Sequence, residues 1–343
     1  MVFDLRCRLR QQGVLGINQR NADFVLRYNA RRLYPLVDDK LKTKQLAIEA
    51  GMAVPELYGV IETQHQIRDL PKIVGERTDF VIKPAHGSGG DGIMVITGRR
   101  KNRYRRVNGL LIDEDELEHH ISNTINGQYS LGGVPDRAMI EYRVQFDPLF
   151  EAISYLGVPD IRVIVFQGYP VMSMVRLPTR QSDGKANLHQ GAIGVGIDIA
   201  RGETLRGVWG NEIISEHPDT LHPISGVAIP NWPLILELAA GCYEMTGLGY
   251  IGVDIVLDRD LGPLILELNA RPGLNIQIAN AIGIHHRLKL VERDGDPRAP
   301  VAQRIAFAVG HFETAKPEMA GEHAASSRPE VAGAQPEQPH APG

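Results

Sequence analysis

Residues 252–269, GVDIVLDRDLGPLILELN, dictate more of the architecture than any other stretch. Two apolar runs flank a turn near Asp260-Leu261-Gly262, which reads as a β-hairpin. Side chains alternate across a strand, so Glu267 and Asn269 share a face, and a turn at residues 260–261 sets Asp254 opposite Glu267 on that face. Three oxygen donors then converge without His or Cys. Such a set suits a hard cation such as Mg²⁺, completed by water and substrate phosphates. The competing reading is a wet edge strand whose polar residues alternate with Leu266 and Leu268.

A second strand pair surrounds a glycine loop: FVIKPAHGSGGDGIMVIT, residues 80–97. Gly87, Gly89 and Gly92 satisfy G-x-G-x-x-G, but IMVIT is a strand where a dinucleotide fold needs a helix. The Gly-Lys-Ser/Thr ending of a Walker loop is absent. A flexible hairpin over phosphates remains, with Lys83 ending the strand before it; the plainer alternative is a glycine turn beside a surface lysine. Further strands are expected at 57–61 and 138–144, and a hairpin over 160–176 turning near Gln167-Gly168. Helices are expected at 38–53, with Leu41, Gln45, Ile48 and Met52 along one side, at 230–248, and at 275–290. Arg162 interrupts an apolar strand and calls for an anionic partner. Lys185, Asn187 and His189 lie in a polar loop, and His189 has no partner at metal-ligand spacing.

With 343 residues, 43% of them hydrophobic, the chain can build one large or two ordinary domains. A net charge of −4 argues against a dedicated nucleic-acid binder. Cys7 and Cys242 supply neither a disulfide framework nor a metal site. Neither a signal peptide nor an apolar stretch of membrane-spanning length is present, which makes the cytoplasm the default location.

In order, Asp39-Lys40 before a helix, Val81-Ile82-Lys83 before the glycine hairpin, Asp160-Ile161-Arg162, Asn187-Leu-His-x-Gly191, Gly252-Val253-Asp254 and Glu267-Leu-Asn269-Ala-x-Pro-Gly273 resemble the ATP-grasp superfamily. Within it they are similar to the alpha-L-glutamate ligase-like proteins related to ribosomal-protein glutamate ligases. The resemblance implies an α+β ATP-grasp fold: two lobes, with ATP in the cleft between antiparallel sheets.

It also implies a small lobe at 37–140 and a large lobe at 141–311. Composition alone marks 1–36 as an arginine-rich segment, read as a solvated helical face, and 312–343, low in aliphatics and rich in Ala, Pro, Glu and Gly, as a disordered tail. With about 39 residues before Lys40, the N-terminal domain usual in relatives is expected to be largely missing, and a partner protein could stand in for it. Lys40 and Lys83 would hold ATP phosphates under a loop of Gly87, Ser88, Gly89 and Gly90. Glu141, Tyr142 and Arg143 would meet the adenine, while Asp254, Glu267 and Asn269 would hold Mg²⁺, with Mn²⁺ as the alternative ion. Arg162, Asn187 and Arg271 would meet the γ-phosphate or an acyl phosphate.

The implied activity joins a carboxylate to an amine through an acyl phosphate, with glutamate and a protein or peptide acceptor as one version. A non-catalytic ATP-binding scaffold and a small-molecule kinase are the alternatives. Lys185 stands where the ligases have arginine, and Arg271 where they have serine.

Overall fold

The computed structural model describes residues 2–87 and 89–314. Ser88 and residues 315–343, most of the expected tail, lie outside the described residues.

Among the described residues, thirteen strands form two antiparallel sheets. The first orders β1 (Leu57–Ile61), β6 (Ala138–Glu141), β2 (Phe80–Pro84), β3 (Met94–Arg100), β4 (Arg103–Arg106) and β5 (Leu111–Asp113). The second orders β11 (Glu212–Ile214), β10 (Thr204–Trp209), β9 (Ile193–Ile197), β8 (Tyr169–Leu177), β7 (Asp160–Phe166), β12 (Tyr250–Asp258) and β13 (Gly262–Asn269). Alternation decides what each face of the first sheet does. Phe80 and Ile82 of β2, with Ala138 and Ile140 of β6, enter a core closed by helix Glu114–Ile125 through Leu117 and Ile121. Lys83 and Glu141 therefore turn to the other side.

The second sheet is covered by helices Trp232–Thr246, His285–Asp294 and Val301–His311. All nine residues of β12 are buried, and their aliphatic run follows from burial on both faces. Each such side chain contributes about 1.5–3 kcal/mol of burial free energy.

Part of the chain before Lys40 belongs to this second core, while Arg8, Arg10, Arg27, Arg31 and Arg32 stay exposed. Leu15, Phe24, Val25 and Val37 pack into it, and Arg20 is buried, donating to the Pro272 carbonyl at 2.6 Å. A Cβ on Gly283 would lie 1.9 Å from the Gly13 carbonyl carbon, so the two segments cross only because that position is glycine.

The hairpins and the helix over 232–246 fall where the sequence puts them. Other elements differ. Helix Lys40–Glu49 buries Leu41, Lys44 and Ala47, while Ile48 is exposed, because its inward side meets the polar face of the first sheet. The helix expected over 275–290 is two, Ile276–Asn280 and His285–Asp294, broken where Ala281 takes φ 52°. The polar stretch after residue 97 contains β4, β5 and a twelve-residue helix started by an Asp113/Glu116 capping box. Among the described residues no helix is long and apolar enough to cross a membrane.

Candidate active site

The two sheets bring their polar faces together around three clusters. In the first, Glu141 is 3% exposed and its Oε1 lies 2.5 Å from Lys83 Nζ, with Lys44 Nζ 2.9 Å from Oε2. Burial raises the Glu141 pKa, but the two ammonium groups overcome it and hold the carboxyl below its ordinary value. Burial pushes Lys44 down, against the pull of Glu141. Lys44 also donates to the Pro55 carbonyl, which leaves its approach to Oε2 a charge contact; that buried oxygen lacks an aligned donor. Lys83 is thus a buried ion-pair partner and not a surface lysine.

The second cluster sits on the second sheet. The 252–269 hairpin turns after Asp258, and Asp254 stands opposite Glu267, with Gly252 opposite Asn269. Asp254 is 2% exposed and gripped by arginines. Arg162 Nε and Nη2 donate to its two oxygens at 2.7 and 2.6 Å, and Arg176 Nη2 adds a bond of 2.8 Å. Arg176 also forks onto Asp160, with both bonds at 2.5 Å. Burial raises the Asp254 pKa, yet the two guanidinium groups prevail and bring it to about 2. Asp160 receives the charge of only one arginine directly; burial, opposed by Arg176 and reinforced by Asp254, takes it up to about 6.

Glu267 joins the sheets: its Oε1 lies 3.2 Å from Lys40 Nζ, and Lys40 Nζ also donates to the Gly87 carbonyl at 2.5 Å. Asp39 caps the helix that begins at Lys40 by accepting from Leu41 N and Lys42 N, and its other oxygen takes Arg137 at 2.6 Å. His86 and Asp136, 2.7 Å apart, hold the start of the glycine loop. The loop reaches the polar segment of the second lobe, where Asn187 donates to the Gly89 carbonyl at 3.4 Å and Lys185 lies 3.5 Å from Asp91. Gly90 lies against the Lys185 side chain.

Other expected residues sit apart. Tyr142 donates to Asp258 at 3.0 Å, and Arg143 pairs with Asp79 at 3.0 Å. Arg271 is exposed and stacks over Tyr34 at the rim of a cavity of about 490 Å³ that Arg31, Asn21, Val25 and Leu26 also line. Arg162, Asn187 and Arg271 thus occupy three places: the Asp254 cluster, the loop contact and the Tyr34 cavity.

Sequence reasoning passed over Lys44 and Arg176 and gave Asp160, quoted only as part of a motif, no role. Lys44 occupies the fourth helical place after Lys40, and Arg176 faces Asp160 across a hairpin whose register was legible. The signal was a charged residue inside an apolar strand, as at Arg162. The metal reading passes a partial test of fit. Asp254, Glu267 and Asn269 provide oxygen donors on adjacent strands, and Asn269 makes no side-chain hydrogen bond among the described residues. Asp254, however, already spends both oxygens on arginine. The described residues contain no group of three His, Cys, Asp or Glu placed for a metal.

Two antiparallel sheets, with a glycine hairpin from one reaching Lys185 and Asn187 of the other lobe, fit the ATP-grasp family that the chain matches. Residues 19–293 match the family described as sugar-transfer associated ATP-grasp, and the chain belongs to that family. It is 22% identical over 266 residues to a protein named probable alpha-L-glutamate ligase from Enterobacter sp. (strain 638), covering 76% of this chain and 65% of the relative. A protein of the same name from Parasynechococcus marenigrum (strain WH8102) is 25% identical over 69% of this chain and 36% of its own length. The chain thus spans 65% and 36% of these relatives. Among solved structures, the ATP-grasp ligase PsnB complexed with minimal precursor is 16% identical, with TM-score 0.41 over 81% of this chain and 64% of that one. The D-alanine–D-alanine ligase from Bacillus anthracis complexed with ATP is 13% identical, with TM-score 0.41 over 80% and 66%.

Proposed function

We propose that the protein is an ATP- and Mg²⁺-dependent ligase that joins a carboxylate to an amine. The observation that carries this reading is the Lys40–Glu267 contact, which sets a phosphate-type cation on a metal-type carboxylate at the junction of the two sheets. Around it, Lys40, Lys44, Lys83, Arg162 and Arg176 face Glu141, Asp160, Asp254 and Glu267. Nucleotide phosphates would exchange for carboxylates as lysine partners: Lys40 would leave Glu267 and Lys83 would share Glu141. Glu267 and Asn269, with Asp254 beside them, are the residues that would hold Mg²⁺, which supplies charge neutralisation of the phosphates when bound. The unaligned Oε2 of Glu141 offers an acceptor to a donor of the entering nucleotide.

In the reaction so read, a substrate carboxylate oxygen attacks the γ-phosphorus and ADP leaves. An amine nitrogen then attacks the acyl carbon, phosphate departs, and the amine gives up a proton. Both steps build negative charge, which Arg162, Lys40 and Lys83 are placed to stabilise. The glycine loop, held by Asn187 and Lys185, would exclude the water that hydrolyses an acyl phosphate. Glutamate as the added amino acid is supported by the names of the two curated relatives.

The test is to supply ATP, Mg²⁺, an amine and a carboxylate labelled with heavy oxygen. A ligase of this type transfers one labelled oxygen to inorganic phosphate and needs both substrates. ADP release driven by a hydroxyl compound with no amine identifies a kinase instead, and nucleotide binding without turnover under every mixture rejects the enzyme.

A further inference from the structure

The segment Arg99-Arg100-Lys101-Asn102-Arg103-Tyr104-Arg105-Arg106 forms the β3–β4 hairpin of a protein whose net charge is −4. Tyr104 and Ile112 point into the core, so Arg103, Arg105 and Leu111 of β4 and β5 point out, and Arg100 stands opposite Arg103. Arg99 is occupied, donating to the Gly75 carbonyl and lying over the Tyr104 ring. Arg100, Lys101, Arg103, Arg105 and Arg106 make no ion pair among the described residues. Asp113 faces Arg103, but its carboxylate is turned to the helix cap at Glu116 N. At the other end of β4, where Leu111 pairs with Arg105 and the chain turns into β5, Val107, Leu110 and Leu111 are 42, 53 and 47% exposed.

From this juxtaposition of unpaired cations and bare aliphatic side chains, we propose that the outward face of β3–β5 docks on an anionic lipid bilayer. Cations near such a surface are drawn to its phosphates, and aliphatic side chains beside them enter the headgroup layer. The exposed apolar residues here are aliphatic and the hairpin's one aromatic, Tyr104, is buried, so the stacking surface that single-stranded nucleic acid uses is missing. The cations sit on two adjacent strands and the turn between them, and the sheet edge offered by β5 is three residues long, which gives an acidic peptide little to pair with. Val81 pairs with Val95 and, past a bulge, Gly98 with Arg105, so the docking face continues the side of the sheet that carries Lys83.

The experiment uses the full chain and vesicles of phosphatidylcholine with or without phosphatidylglycerol, scored by flotation. Binding to the mixed vesicles alone, weakened by salt and by at least about tenfold in the Arg100→Glu/Arg103→Glu/Arg105→Glu variant, supports the proposal. So does loss in Val107→Ser/Leu110→Ser/Leu111→Ser with the cations intact. Melting temperature and Mg·ATP binding, followed in parallel, show that the variants are folded. Binding to neither vesicle, equal binding to both, or capture of poly-glutamate or RNA with no vesicle binding overturns it.

Discussion

Glu267 and Asp254 face each other across one hairpin but have different local duties. Asp254 neutralises two largely buried arginines; Arg176 keeps Asp160, but removal of Asp254 leaves Arg162 unpaired, at a cost of about 3–5 kcal/mol. Glu267 is a third exposed and, among the described residues, forms an ion pair with Lys40 alone, which makes it the cleaner probe of metal binding. Glu267→Gln should keep the unfolding midpoint within experimental scatter while raising the Mg²⁺ concentration for half-maximal ADP release by about 10–100-fold; titration of both quantities checks it. Asp160 makes a pH prediction of the opposite kind. Its folded pKa, about 6, lies above the ordinary 3.8, so its contribution is intact below 3.8 and is lost as pH rises toward 6. Asp254, at about 2, contributes fully above 3.8 and loses that contribution as pH falls toward 2. Urea unfolding from pH 4 to 7 should therefore show wild type losing about 1–3 kcal/mol relative to Asp160→Asn. Equal slopes would remove the assignment.

At the scale of elements, the glycine hairpin is fixed at its far end by Gly92. Gly92 has φ +75°, and a Cβ there would lie 2.5 Å from the Tyr129 ring. Gly92→Ala should cost about 1–3 kcal/mol of local strain and cut turnover more than it shifts global melting. Steady-state ADP release set beside calorimetry checks this. The hairpin was legible because glycine, lysine and strand residues alternate in a short window, as was the Asp254–Glu267 pairing, fixed by one turn. The breaks in 276–294 were less so, because Ala281 is an ordinary helix former driven to a left-handed conformation by packing. Lys44 was hidden for a related reason. A helix that buries a lysine against a buried glutamate does not show the apolar stripe by which helices are read, and the partner lies 97 residues on, at Glu141.

Across the whole molecule, polar contacts that link the two cores include Lys40–Glu267, Asn187–Gly89 and Lys185–Asp91. A ligand that bridges those groups should stabilise the pair of lobes together. Mg·ATP at about 100 times its Kd is expected to add about 2.7 kcal/mol and to protect residues 87–92 from protease; thermal shift and limited digestion measure the two effects. No shift at saturating nucleotide would contradict the cleft assignment.

Asn29 bears on the order in which the chain is made. Its amide nitrogen donates to the carbonyls of Tyr250 and Ala270, and its oxygen accepts from Tyr250 N. Gln277 likewise brackets Leu15 from both sides of the peptide. The side-chain partners of Asn29 and the Gln277 amide that holds Leu15 are thus synthesised more than two hundred residues later, whereas the core of the first sheet is complete by Ile140. On the ribosome the first lobe can close as a contiguous unit, while the opening segment, with Phe24 and Val25 still bare, waits for the last strands to emerge.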